Sequence, residues 1–69
     1  MEKIFKIADI AKEAAELFVD NTEAEIATAL WNEKTRKGIA ADLKGIAEWC
    51  EDSAIAYKAS MLWREVIAL

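Results

Sequence analysis

The chain has 69 residues, a formal net charge of −4, one cysteine and no histidine. A chain this short forms at most one domain and is marginal alone, because it buries only a modest share of its surface. No intrachain disulfide can form and the commonest zinc ligand is missing, which leaves oligomerisation or tight helix packing to supply stability.

Hydrophobic residues make up 55% of the chain and charged residues 32%, which excludes a disordered composition. Alanine is abundant, proline is absent, and glycine occurs only at Gly38 and Gly45. Helix is therefore favoured nearly throughout. The negative charge disfavours general nucleic-acid binding, whose affinity comes from neutralising phosphates. It equally disfavours an anionic membrane surface. No uncharged apolar run approaches the ~20 residues of a membrane span. Lys6 and Asp9 interrupt the apolar start of the chain, unlike a signal peptide, so the expected location is cytoplasmic.

The first predicted element is a helix over residues 2–19. Ile4, Ile7, Ala11, Ala14 and Phe18 repeat at steps of three and four, with Phe5, Ala8, Ile10, Ala15 and Leu17 widening the stripe. Glu2, Lys6, Asp9, Glu13, Glu16 and Asp20 line the other face. Asp20-Asn21-Thr22 breaks the pattern. Thr22 with Glu25 fits a capping box, so a second helix is expected over 22–37, antiparallel to the first across a short loop. Ile26, Ala27, Leu30 and Trp31 form its apolar face, with Trp31 in the core against the first helix.

Residues 32–37 contain no apolar side chain and precede Gly38. Basic residues in a last turn and a glycine just beyond suit a helix end, which predicts a break near Gly38. A continuous, kinked helix is the alternative, because no good N-cap precedes Ile39. The third helix is expected over 39–68, about 40 Å long at ~1.5 Å per residue. The predicted fold is all-α: a single domain over 1–69, built as a three-helix bundle of two short antiparallel helices and a longer C-terminal one. Oligomerisation completes it.

That third helix is apolar on several sides. Ile39, Leu43, Ile46, Ala47, Cys50, Ala54, Tyr57 and Met61 share one stripe. Ile55, Leu62, Val66 and Leu69 share a second, and Trp49, Trp63 and Ile67 point in a third direction. A helix apolar on several sides needs further cover. The expected contact residues are therefore Trp49, Ile55, Leu62, Trp63, Val66, Ile67 and Leu69, ringed by Lys58, Arg64 and Glu65. The expected partner is a second copy, paired through the overhanging C-terminal half, another protein, or both. No nucleic acid, membrane, small-molecule ligand, cofactor or metal is expected.

Several side chains are candidates for chemistry. Cys50 has no imidazole to activate it and falls between Ile46 and Tyr57 on the wheel, a core position. Lys34, Arg36, Lys37 and Lys44 suit solubility and a helix dipole. The following segment, Ile39-Ala40-Ala41-Asp42-Leu43-Lys44, offers little to read base edges. Glu13 and Glu16 stand at i, i+3 on the first helix, and Glu48, Glu51 and Asp52 at similar spacing on the third. The stretch Lys12-Glu13-Ala14-Ala15-Glu16-Leu17 is similar to the first motif of the MazG-like all-α nucleoside-triphosphate pyrophosphohydrolases. The resemblance implies magnesium-dependent nucleotide hydrolysis, with Glu-x-x-Glu on one helix and Glu-x-x-Asp on the next. Here Glu48 has Glu51 at +3 and Asp52 at +4, and the wheel turns Glu13 and Glu16 outward. The leading expectation is a small non-enzymatic helical regulator, adaptor or inhibitor acting through its C-terminal helix face. Its size and acidity are those common among phage-encoded inhibitors. The alternatives are the metal-dependent hydrolase and an acidic nucleic-acid mimic.

Overall fold

In the computed structural model, which describes residues 2–69, four α-helices follow one another: α1 Glu2–Leu17, α2 Glu23–Trp31, α3 Glu33–Trp49 and α4 Ser53–Ile67. The all-α class holds. The helix count is four rather than three, and both later boundaries differ from those predicted.

The start of α2 is as its capping box dictates. The Glu25 backbone N–H donates to Thr22 Oγ1 at 3.2 Å, and the Thr22 N–H donates to Glu25 Oε1 at 3.0 Å. That backbone donor, more than the threonine side chain, holds the Glu25 carboxyl below the usual carboxylate range.

The break expected at Gly38 lies instead at Asn32. This residue is extended (φ −98°, ψ 124°) and serves as C-cap of α2 and N-cap of α3, its side chain accepting from the Lys34 N–H at 2.9 Å. The last carbonyls of α2 find donors in the opening residues of α3. Thr35 Oγ1 donates to Ala29 O, and Arg36 Nε donates to Leu30 O at 2.8 Å. The basic run was expected to end a helix. It begins one, and Arg36 reaches back to the preceding helix C-terminus, where a cation is favourable. Gly38 and Gly45 lie inside α3 without positive φ, so no left-handed cap is needed at Gly38.

The expected helix over 39–68 is two helices. Cys50 ends α3, its N–H donating to Ile46 O at 2.9 Å. The Asp52 side chain then accepts from the backbone N–H groups of Ala54 and Ile55 at 3.0 and 3.2 Å, which starts α4. The longest dimension of the fold is 35 Å, shorter than an unbroken helix over 39–68 would be.

The turn returns α4 antiparallel along α3. Glu33, Arg36 and Lys37 share a groove with Val66 and Ile67, the Lys44 ammonium lies 5.7 Å from the Trp63 ring centroid, and Ile46 and Trp49 share a groove with Ile55. α1 packs between α2 and α4, so the chain closes as a ring of neighbours, α1–α2–α3–α4–α1. Every helix contributes to one core: Ile7, Ile10, Ala11 and Ala14 from α1, Ile26 and Leu30 from α2, Ala40 and Leu43 from α3, and Ala59, Leu62 and Val66 from α4. The alanines let the helices approach closely, which a small core needs. Trp31 is not in that core. It stands half-exposed beside α1, with the Lys3 ammonium 5.8 Å from its ring centroid.

A Cβ added at Gly38 meets nothing within 4 Å. Gly38→Ala should therefore raise stability by about 0.5–1 kcal/mol through helix propensity, read as a higher midpoint in thermal or urea unfolding. A left-handed cap at Gly38 would give the opposite sign.

Candidate functional site

The expected contact residues divide three ways. Leu62 and Val66 are each 1% exposed and belong to the chain's own core. This corrects their assignment to an outer surface. The non-helical residues 50–52 reset the helical phase, so Ala59, Leu62 and Val66 become the inward stripe of α4, and Leu62 and Val66 no longer belong to a second outer stripe of a longer helix. Trp63 and Leu69 are half-buried and packed against that core. Trp49, Ile55 and Ile67 remain exposed, at 83%, 40% and 59%. The same phase change turns Tyr57 and Met61, expected on the inward stripe, out to solvent.

The three exposed members do not form one patch. Ile67 lies where α4 ends beside the start of α3, in a small groove with Ala40 and the basic Arg36 and Lys37. Trp49 and Ile55 lie at the other end of the α3–α4 hairpin. There they line an open groove of about 690 Å³ with Leu17 and Phe18 from the end of α1, Ala41, Gly45 and Ile46 from α3, and Cys50 from the turn. Asp42 is the one ionised side chain in this lining. Cys50, expected in the core, is half-buried here. Leu17 and Phe18, like Ile46 and Cys50, were expected only in the core, and they are half-buried against it at the groove. The signal for Leu17 and Phe18 was position, because both fall at the end of the first amphipathic helix, where the core can no longer cover them fully.

Charge is segregated along the fold. No Lys or Arg occurs between Lys12 and Lys34, or between Lys44 and Lys58. Apart from Glu33 at the start of α3, those stretches carry Glu13, Glu16, Asp20, Glu23 and Glu25, and then Glu48, Glu51 and Asp52. They surround the connections 18–22 and 50–52, whose neighbours Phe18, Trp49 and Cys50 line the larger groove. Lys3 and Lys6 at the start of α1, Lys34, Arg36 and Lys37 in α3 and Arg64 in α4 lie toward the opposite end. Asp9, Glu33 and Glu65 also lie toward the Ile67 end, where the cations outnumber them, while the Trp49 end is predominantly acidic.

The carboxylates weighed for metal binding do not converge. Glu16 forms an ion pair with Lys58 that ties α1 to α4. The hydrogen bond from Lys58 holds the Glu16 carboxyl below its ordinary value, and the same bond holds the Lys58 ammonium above its own. Glu48 lies on α3, but Glu51 and Asp52 lie beyond its end, and Asp52 is engaged as the cap of α4. The predicted Glu-x-x-Glu spacing on one helix is therefore broken. Among the described residues, no three acidic or cysteine side chains group as a metal site, and no helix is long and apolar enough to cross a membrane.

Comparison with protein-family models, curated proteins and solved structures finds no match. The functional reading therefore rests on the groove itself.

Core and groove residues should respond differently to truncation. Leu62→Ala should lower unfolding stability by about 2–5 kcal/mol, as a buried leucine does. Trp49→Ala should change it by no more than about 0.5 kcal/mol, as an exposed site does. Urea unfolding of the two variants measures both. Equal losses would place Trp49 in the core.

Proposed function

We propose that this chain is a small non-enzymatic interaction protein, a regulator, adaptor or inhibitor, whose contact surface is the groove around Trp49. The observation that carries this reading is a tryptophan left 83% exposed at the rim of an apolar groove, in a chain whose four helices already share a closed core. Exposed tryptophan is costly to leave in water, and it dominates binding hot spots because it buries a large area while keeping a donor. Leu17, Phe18, Ile46 and Ile55 give it apolar neighbours from three helices.

The contact surface moves, on this reading, from the C-terminal helix face to the end of the α3–α4 hairpin. Leu62 and Val66 serve the core instead, with Trp63 and Leu69 packed against it. With them goes the argument that an overhanging helix needs a second copy, since α4 folds back and leaves no overhang. The hydrolase alternative loses its second carboxylate motif to the end of α3, and its first motif has Glu16 committed to Lys58. Cys50, with no imidazole in the chain, has no base to activate it.

Affinity capture from the native host tests the reading. Wild type and Ile67→Glu should retain the same protein, and Trp49→Ala and Ile55→Glu should lose it, with circular dichroism checking that each variant is folded. Retention by all four, or by none, would contradict a contact surface at this groove.

A further inference from the structure

We infer that the occupant of the Trp49 groove is a basic amphipathic helix of another protein, with apolar anchors flanked by Lys or Arg. This deepens the interaction reading and rests on it. Three features select that chemistry.

The first is charge. Acidic residues adjoin the groove-lining residues in the chain at both connections: Asp20 follows Phe18 by two, and Glu48 and Glu51 flank Trp49 and Cys50, with Asp52, the cap of α4, next to Glu51. Asp42 lies in the groove lining. Compensation at this end comes from Lys58, which is paired with Glu16, from Lys12, which also acts on Glu16, and from Lys44 beside Gly45, and the acidic residues outnumber these cations. Such a rim repels phosphates and acidic lipid headgroups, and it attracts and orients a cationic segment.

The second is shape. Ala41 and Gly45 stand one helical turn apart in the groove, with Leu17, Phe18, Ile46 and Trp49 also lining it. Open space surrounds Gly45, since an added Cβ there meets nothing within 4 Å. Small residues one turn apart let a second helix approach closely, and the larger apolar side chains receive anchors at i, i+3 and i+4. The described residues form no strand whose edge an extended peptide could extend.

The third is closure. The basic end of a second copy is also complementary in charge. Docked there, however, a copy would leave its own acidic groove open, and addition would continue head to tail unless the rotation closed a ring. A separate basic helix fills the groove and ends the assembly.

The test uses the full chain and two designed peptides of one amphipathic pattern, one of leucine and lysine, the other of leucine and glutamate. Binding is followed by tryptophan fluorescence and by amide shifts of the isotope-labelled protein. The lysine peptide should shift amides of residues 41–55, and its affinity should fall about tenfold between roughly 50 and 500 mM salt. Gly45→Leu, which places a side chain in the groove without disturbing α3, should weaken binding at least tenfold. The double variant Glu48→Lys, Glu51→Lys should weaken the lysine peptide and strengthen the glutamate one.

Equal binding of both peptides in the groove overturns the basic partner while leaving the groove as a contact surface. Lysine-peptide binding that Gly45→Leu does not weaken overturns it as well, since charge alone is then at work. Salt-sensitive self-association, abolished by both Gly45→Leu and Ile67→Glu, assigns the groove to a second copy. Failure of both peptides to bind rejects the inference outright, and the capture experiment decides the groove reading independently.

Discussion

The Asp52 side chain accepts two backbone N–H groups at the start of α4, and most of the fold follows from the turn this cap stabilises. Residues 50–52 reverse the chain, so the apolar C-terminal stretch packs back along α3 instead of projecting beyond it. Reversal brings Ala59, Leu62 and Val66 against Leu43 and the α1 residues Ile10 and Ala14 in one core. It also lets α4 meet α1, where Lys58 and Glu16 pair across the contact. The same turn fixes what is left uncovered. Trp49 is the last residue of α3, and the core ends before it.

A second sharp connection, at Asn32, has a different construction. One residue separates α2 from α3, so a single side chain caps the second helix while Thr35 and Arg36 satisfy carbonyls of the first. This gives Arg36, in the basic cluster, a structural role at the junction. Placing those cations at the α2–α3 junction leaves acidic residues at the turn-bearing end. The charge polarity of the molecule thus grows from how its two short connections are capped.

Much of the architecture was legible in the residues. The regular polar face of α1 and the Thr22–Glu25 box locate the first two helices. The other boundaries were hidden for physical reasons. Asn32 lacks a glutamate three residues on and sits beside a run of charges, so Gly38 was the more conspicuous stop. Yet glycine is tolerated inside a helix whose packing supplies the stability, and α3 runs through it. Asp52 was read as one more surface carboxylate, because apolar residues continue on both sides of the turn. A wheel drawn through the turn gave Leu62 and Val66 a false outward direction. Two stripes out of phase on one apparent helix were the sign of two helices. For the candidate site, Trp49 and Ile55 were legible as surplus apolar surface. Leu17 and Phe18 were not, since their exposure depends on where α1 ends relative to α3. The charge segregation is plain in the spacing of Lys12, Lys34, Lys44 and Lys58, but its meaning needs the two acidic connections to meet at one groove.

One distance tests the reversal of the chain at residues 50–52. Spin labels on Lys37→Cys and Ala68→Cys, in a Cys50→Ala background, report the separation by pulsed electron resonance. Residues 37 and 67 share a groove in the folded hairpin, so the account predicts a label distance on the order of 10–20 Å, as for adjacent packed helices. A separation of roughly 45 Å, that of an unbroken helix over the same span, would contradict it.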